Sequence, residues 1–80
     1  MKREDHLKQL LQELATAKTK TEIRGVIQKA DSTLNESRFT IIEKRTFFGE
    51  FILKAQTNSA TMQNAAEAQE IVNQILSGGK

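Results

Sequence analysis

The chain is almost free of the residues that interrupt helices. Its 80 residues include no proline and only four glycines, two of which, Gly78 and Gly79, stand next to the end. Proline and glycine are the strongest breakers of regular structure, so long stretches can stay helical. Apolar residues also recur at spacings of three and four, the period of a buried helix face. We therefore predict an all-α fold, a compact bundle of three or four helices over residues 5–17, 20–34, 38–56 and 60–76.

The first two helices are expected to carry narrow apolar stripes. The second helix has a clear start signal, because Thr19-Lys20-Thr21-Glu22 matches a capping box. In that arrangement Thr19 is the N-cap and the Glu22 side chain reaches back to its amide. The stripes consist of Leu7, Leu10, Leu11 and Leu14 in the first helix and Ile23, Val26, Ile27, Ala30 and Leu34 in the second.

The third helix is expected to be the most apolar, and residues 35–37 are expected to form the turn before it. All four phenylalanines of the chain lie in or beside this helix. The alternative is a β-hairpin between Phe39 and Leu53, since this segment is rich in strand formers. The turn of that hairpin, at residues 43–46, would lack glycine and asparagine. The apolar arc of the helix consists of Ile41, Phe47, Phe48, Phe51, Ile52 and Ala55, extended on one side by Ile42 and Leu53.

The fourth helix follows a predicted turn at residues 57–59, and the glycine pair near the end of the chain is expected to terminate it. The apolar arcs of the third and fourth helices exceed about 200°, whereas an outer helix usually shows a stripe of somewhat over about 100°. Either the bundle folds around the third helix or part of this surface meets another chain. The apolar side of the fourth helix consists of Met62, Ala65, Ala66, Ala68, Val72, Ile75 and Leu76.

Composition restricts the class of protein. With 38% hydrophobic and 28% charged residues the chain is expected to fold. The absence of cysteine excludes a disulfide framework and a thiolate metal site and fits a reducing compartment. No apolar run approaches the roughly 18 to 20 residues of a membrane span, and the first residues lack the apolar centre of a signal peptide. We expect a cytoplasmic protein.

No group of residues points to catalysis. A metal site or an acid–base pair needs several converging groups, and the one histidine, His6, is expected to be a solvated end residue. Glu43 and Glu50 share a helix face, which we interpret as a solvated polar strip. No phosphate-binding loop, nucleophile elbow or metalloprotease motif is present. We therefore expect no enzymatic activity, no cofactor and no metal.

Residues 14–30 resemble a degenerate helix-turn-helix, in which a short turn leads into a capped helix with polar residues near its start. The turn lacks the usual glycine and anchoring apolar residue, so a plain helical hairpin with a solvated basic face is the alternative reading. Side chains of these types hydrogen-bond base edges and phosphates. The candidate DNA contacts are Lys18, Lys20, Thr21, Arg24, Gln28 and Lys29, with Arg38 and Lys44 as further phosphate contacts.

The leading functional hypothesis is a non-enzymatic interaction or adaptor module that binds a protein partner or its own copy as a homodimer. Surplus apolar surface of this kind marks interfaces when it stays exposed. The alternative is a small DNA-binding regulator, although a net charge of +2 does not by itself imply nucleic acid. Any anionic partner should meet residues 1–54, which hold eleven basic and eight acidic side chains. The candidate protein contacts are Phe47, Phe48, Phe51 and Ile52.

Overall fold

Four α-helices make up most of residues 3–77, the part of the chain that this computed structural model describes. The predicted all-α bundle is confirmed. No strand occurs within residues 3–77, and the alternative of a hairpin between Phe39 and Leu53 is wrong, because a continuous helix runs through its would-be turn at 43–46. The helices are α1 (Arg3–Thr16), α2 (Lys20–Glu36), α3 (Ile41–Thr57) and α4 (Met62–Leu76).

The helices pack in a ring in the order α1, α2, α4, α3. The contact between α3 and α4 is the most extensive, α2 packs on α4, and α1 contacts both α2 and α3. The remaining two pairs lie across the ring. The Cα radius of gyration is 11.4 Å, close to the value of about 11.6 Å expected for a compact domain of this length. A single chain therefore already closes around its own core.

One continuous cluster of buried side chains fills the interior. Phe47, Phe48 and Phe51 of α3 have no exposed surface. The stripes predicted for the first two helices are confirmed, except that Leu11 and Val26 are only partly buried. Because phenylalanine buries more apolar area than the aliphatic residues around it, α3 supplies the largest part of the core.

The structure confirms the predicted N-cap of α2 but shows a different hydrogen-bond partner for the Glu22 side chain. The Thr19 hydroxyl accepts a hydrogen bond from the Glu22 amide at 3.1 Å, which confirms Thr19 as the N-cap. The Glu22 carboxylate, however, accepts from the Lys18 amide at 2.6 Å. It reaches one residue further back than the capping box predicts, so the peptide before the N-cap is held as well.

α2 runs past its predicted end at Leu34 and through the predicted turn. Arg38 has a positive φ of 65°. The Arg38 amide donates to the Asn35 carbonyl, and the Phe39 amide donates to the Leu34 carbonyl, both at 3.0 Å. This pair of bonds is a Schellman motif, in which the left-handed position is usually a glycine. An arginine therefore occupies a backbone conformation that side chains with a Cβ disfavour.

α3 begins at Ile41, later than the predicted Arg38, because Thr40 is its N-cap. The Thr40 hydroxyl accepts from the Glu43 amide at 3.1 Å, and the Thr40 amide donates to the Glu43 carboxylate at 2.8 Å. These reciprocal bonds form a complete capping box. The left-handed residue and the box together fix where the chain leaves α2 and enters α3.

α4 begins at Met62, after the turn predicted at residues 57–59. Its preceding residue, Thr61, is 1% exposed. The Thr61 hydroxyl donates to the Ala55 carbonyl at 2.8 Å, so it makes no cap hydrogen bond to α4. This bond ties the residue before α4 to the last turn of α3, where the Ala55 carbonyl also accepts a hydrogen bond from the Asn58 amide at 3.4 Å.

The buried side of α4 is rotated relative to the prediction. Ala65 and Ala68 are buried as expected, and so is Ile71, which the predicted apolar side omitted. Met62 and Ala66, which that side included, are exposed. The reason is that α4 lies between α2 and α3, which cover the side that carries Ile71. The glycine pair expected to end α4 lies outside the described residues.

Candidate functional site

A groove of about 550 Å³ runs between α3 and α4 on the outside of the bundle. Phe48, Ile52 and Val72 form its buried floor. The contact between these two helices is the most extensive in the bundle, and the groove between them is already formed in the single chain. It is lined by Arg45, Phe48, Gly49, Ile52, Leu53 and Gln56 of α3 and by Gln69, Val72, Asn73, Leu76 and Ser77 at the other wall.

Exposed large apolar side chains concentrate on the same two helices. Within the described residues they are Ile41, Ile42 and Leu53 of α3, exposed by 47%, 71% and 62%, and Met62 of α4, exposed by 56%. Leu53 follows Ile42 by eleven positions, which places the two about 20° apart around the helix and about 16 Å apart along it. The outer strip of α3, defined as Ile42, Thr46, Gly49 and Leu53, therefore presents an apolar residue at each end.

Gly49 lies between the two apolar ends of the outer strip and also lines the groove. A Cβ atom at this position would meet nothing within 4 Å, so no neighbour inside the chain requires a glycine. A glycine in the interior of a helix costs about 1 kcal/mol relative to alanine. The lack of a side chain at Gly49 leaves a depression between the protruding side chains of Ile42 and Leu53.

The groove is nearly free of charge. Arg45 is the one charged residue among those that line it. The Gln56 amide nitrogen approaches the Gln69 amide oxygen to 3.5 Å, which links the two walls at the end remote from Arg45. The other polar lining groups are an amide and a hydroxyl. Such a surface suits apolar or neutral polar groups and offers no strong attraction to an ionic ligand.

The protein contacts predicted from the sequence divide between the groove and the core. Phe48 and Ile52 line the groove floor, whereas Phe47 and Phe51 do not. The interface hypothesis assumed that these four side chains are exposed, and the structure corrects that assumption: the three phenylalanines are fully buried and Ile52 is 7% exposed. The reason is that α1 and α4 cover the phenylalanine side of α3. The accessible apolar residues are instead those at the edge of the predicted arc.

The basic residues predicted to contact DNA lie on the surface. Two of the cations have carboxylates nearby: Lys20 Nζ lies 3.9 Å from Glu67 Oε1, and Lys29 Nζ lies 3.7 Å from Glu13 Oε2. Exposed pairs of this kind contribute little to stability, but they reduce the local positive charge. All six predicted residues are exposed, namely Lys18, Lys20, Thr21, Arg24, Gln28 and Lys29.

Lys44, predicted as a further phosphate contact, is partly buried and bonded to residues of α2. Its ammonium nitrogen lies 3.0 Å from Asp31 Oδ1 and 2.8 Å from Asn35 Oδ1. The Lys44 side chain is 14% exposed. It therefore links α2 to α3 across the ring, and the prediction of a free cation at this position is corrected. Arg38, the other further contact, is exposed at the end of α2.

His6 is not the solvated end residue that we expected. Its ring stacks on Phe47, with the ring centroids 5.1 Å apart and the planes at 27°. Burial lowers the pKa of His6, and the Glu13 carboxylate opposes that shift. The histidine is thus a partly buried element of the contact between α1 and α3.

Neither the described residues nor similarity to known proteins identifies a function directly. Within residues 3–77 no group of three or more histidine, aspartate or glutamate side chains is placed to hold a metal ion, and no helix in that range combines the length and apolarity needed to cross a bilayer. No protein-family model, curated protein or solved structure matches the chain. Function must therefore be inferred from the residues themselves.

Several residues that line the groove were not predicted from the sequence. Gly49, Gln69 and Asn73 were not singled out as contacts, although the helical period places Gly49 on the same side of α3 as Leu53. The helical period was therefore a sufficient signal to place Gly49 beside Leu53. No sequence signal identifies Gln69 and Asn73, because their role depends on how α4 is rotated against α3.

Proposed function

We propose that this protein is a non-enzymatic interaction module that binds a helix of a protein through the groove between α3 and α4. The observation that carries the proposal is the uneven distribution of exposed apolar side chains. All the large ones in residues 3–77 lie on α3 or α4, and α1 and α2 of the same range carry none. Exposed apolar patches of this kind mark interaction sites. Its place of action would be the cytoplasm, which a chain without cysteine fits.

The shape of the groove suits a helix. From Arg45 to Gln56 it extends for about three turns of α3, or about 16 Å. An amphipathic helix binds such a groove with apolar residues at positions i, i+3 or i+4, and i+7. The floor of Phe48 and Ile52 is already buried in the single chain, so we expect binding to require little rearrangement, and the protruding Leu53 adds contact area at the wall. Preorganisation of this kind lowers the entropic cost of association.

Site-specific photocrosslinking tests the proposal. Benzoylphenylalanine in place of Leu53 would lie at the groove wall, and the same group in place of Ser32 would lie on the exposed outer side of α2. After irradiation in the cells that express the protein, we expect a protein adduct from position 53 and none of comparable yield from position 32. Mass spectrometry would identify the adduct. Equal labelling from both positions, or no adduct from position 53, would contradict the proposal.

DNA binding through α2 is a second candidate, supported by the exposure of all six predicted contacts on one helix and its start. Two of the cations are partly neutralised by Glu13 and Glu67, which leaves Lys18 and Arg24 as the cations best placed to meet phosphates. Each phosphate contact to duplex DNA contributes about −0.9 to the slope of log affinity against log salt. This candidate therefore predicts weak binding with a slope of about −2 to −4.

Fluorescence anisotropy with a random duplex at about 50 mM salt measures this directly, because non-specific affinities of DNA-binding proteins are visible at micromolar concentration. The double variant Lys18→Gln, Arg24→Gln should weaken binding and flatten the slope. The matched control is Lys54→Gln, which removes a cation from α3 on the opposite side of the ring. No binding at this salt concentration would remove the candidate.

A further inference from the structure

We infer that the occupant of the groove is the α3–α4 face of a second copy of this chain, so that the protein forms a symmetric dimer with Gly49 near its two-fold axis. The inference rests on the proposed function and specifies the partner. In a two-fold interface the same face serves both subunits, so that face must be complementary to itself. Three properties of the groove and of the outer strip meet that condition.

The first property is shape. The outer strip carries both a depression, at Gly49, and protruding side chains, Ile42 and Leu53, which are 71% and 62% exposed. When two copies of such a strip cross at the glycine, each protruding leucine can enter the groove of the other copy. This is the knobs-into-holes relation by which helices pack. A face with protrusions alone would not fit its own copy.

The second property is charge. Residues near a two-fold axis face their own symmetry mates, so a charged residue there would meet a like charge. The only charged lining residue, Arg45, lies at one end of the groove, and the middle is uncharged. The amides of Gln69 and Asn73 each contain both donors and an acceptor, so each can hydrogen-bond to an identical group. A strongly acidic or basic partner would find no matching charge on this surface.

The third property is the glycine itself. No contact inside the chain explains Gly49, since a Cβ atom there would meet nothing within 4 Å. A helix backbone from a second chain can approach most closely where a Cβ is absent. Gly25 on α2 is equally open, but it lies on a helix with no exposed large apolar residue. Gly25 is therefore a matched control from the same chain.

The size of the face is compatible with a stable dimer. Stable complexes of standard size bury about 800 Å² on each partner, which is about 15% of the 5421 Å² that the chain exposes. One face of two helices out of four can supply that area. The apolar residues on the face, rather than its few polar groups, would then provide most of the association free energy.

Sedimentation equilibrium tests the inference. For the unmodified chain we expect a mass approaching twice 9.0 kDa as concentration rises from about 1 to about 500 µM, a range that covers weak and moderate dissociation constants. Leu53→Glu should remain helical and shift the dissociation constant at least about 100-fold, because it places a carboxylate against apolar surface of the partner. Ser32→Glu adds the same charge on the outer side of α2 and should leave the mass unchanged.

The glycine pair supplies a second test that does not depend on a disruptive variant. Gly49→Ala and Gly25→Ala should both fold, because both positions have open space for a Cβ. Only Gly49→Ala should weaken the dimer, by about tenfold or more, since only there does the added methyl group keep two backbones apart. Equal dissociation constants for the two variants would overturn the placement of the axis at Gly49.

The results separate this inference from the proposed function. A chain that stays monomeric over the whole concentration range overturns the dimer. In that case an adduct from position 53 to a different protein would leave the proposed function standing. An adduct to a second copy, together with a dimeric mass, supports both. A dimer that survives Leu53→Glu unchanged would place the contact elsewhere and overturn the inference.

Discussion

The side chain of Asn64 in α4 donates a hydrogen bond to the carbonyl oxygen of Leu14 in α1, at 2.9 Å. The same amide nitrogen donates to the Ala17 carbonyl at 3.0 Å. The Leu14 carbonyl also accepts from the Ala17 amide at 3.2 Å, so Asn64 adds a second donor there and supplies a donor to the Ala17 carbonyl from the opposite side of the ring. The residues are far apart in the sequence, so this cap holds the tertiary structure rather than a local turn.

Replacement of Asn64 should destabilise the bundle measurably. Asn64→Ala removes both side-chain hydrogen bonds and leaves the Ala17 carbonyl without this donor, whereas the Leu14 carbonyl keeps the Ala17 amide. This change should cost about 1 to 3 kcal/mol in the free energy of unfolding. Asn64→Asp should cost more at pH 7, because its carboxylate faces two carbonyl oxygens. Protonation restores a donor, so the deficit of Asn64→Asp relative to the parent chain should shrink below about pH 4. Urea denaturation at both pH values measures this, with the exposed neighbour Gln63→Glu as the control for added charge.

Arg38→Gly should stabilise the protein. Arg38 has a φ of 65°, and the left-handed region costs residues with a Cβ about 1 to 2 kcal/mol. Glycine avoids that strain but gains freedom in the unfolded chain, so we expect a net gain of up to about 1 kcal/mol. The control is Ser37→Gly, whose φ of −84° carries no such strain and which should not stabilise. Thermal denaturation of both variants checks the difference, and equal shifts in Tm would argue against the strained arginine.

Phe51→Ala should cost about 3 to 5 kcal/mol, because a fully buried ring is lost and a cavity remains. Ile42→Ala, at a position 71% exposed, should cost less than about 1 kcal/mol. For the same reason Phe48→Glu should unfold the chain rather than separate a dimer, since it would bury an unpaired carboxylate. Circular dichroism of the purified variants distinguishes these outcomes. A folded Phe48→Glu variant would mean that the ring is not enclosed as described.

Stability should fall on mild acidification because of His6. Burial lowers the pKa of His6 in the folded chain, so the unfolded chain takes up a proton first as the pH falls through about 6.5. The unfolded state then binds more protons, and the free energy of unfolding decreases until folded His6 is protonated as well. His6→Phe keeps an aromatic ring against Phe47 and should remove this part of the pH dependence. Denaturation between about pH 7.5 and pH 5.5 tests it, since carboxyl groups titrate mainly below that range.

Most of the buried residues of the bundle could be predicted from the sequence. The stripes of α1 and α2 follow directly from apolar spacing, because a narrow stripe leaves no choice about which side is buried. The buried sides of α3 and α4 were harder to predict. Their broad arcs do not say which part the neighbouring helices cover, and that is decided by tertiary packing. The edge residues Ile42 and Leu53 thus remained on the surface while the phenylalanines entered the core.

Helix boundaries were missed for two different reasons. The capping-box pattern of Thr40 and Glu43 is present in the sequence, but residues 35–37 also carry turn signals and were predicted to hold the N-cap of this helix. The left-handed conformation of Arg38 had no signal at all, because the usual glycine is absent. The groove was not predicted for a third reason. Its walls belong to two helices, and only the rotation of α4 relative to α3 brings Gly49 opposite Asn73.

The extensive contact between α3 and α4, two helices that follow one another in the sequence, has a consequence for the order of folding. Joining neighbouring segments closes only a short loop, at a small entropic cost. Since this pair also makes the most extensive contact in the bundle, we expect the α3–α4 hairpin to be the folding nucleus. Core substitutions such as Ile71→Val should then mainly slow folding, whereas Leu7→Ala should mainly speed unfolding. Because the ribosome releases the N-terminal part first, α1 and α2 emerge before the pair that organises them. The native core can therefore form only after α4 has left the exit tunnel.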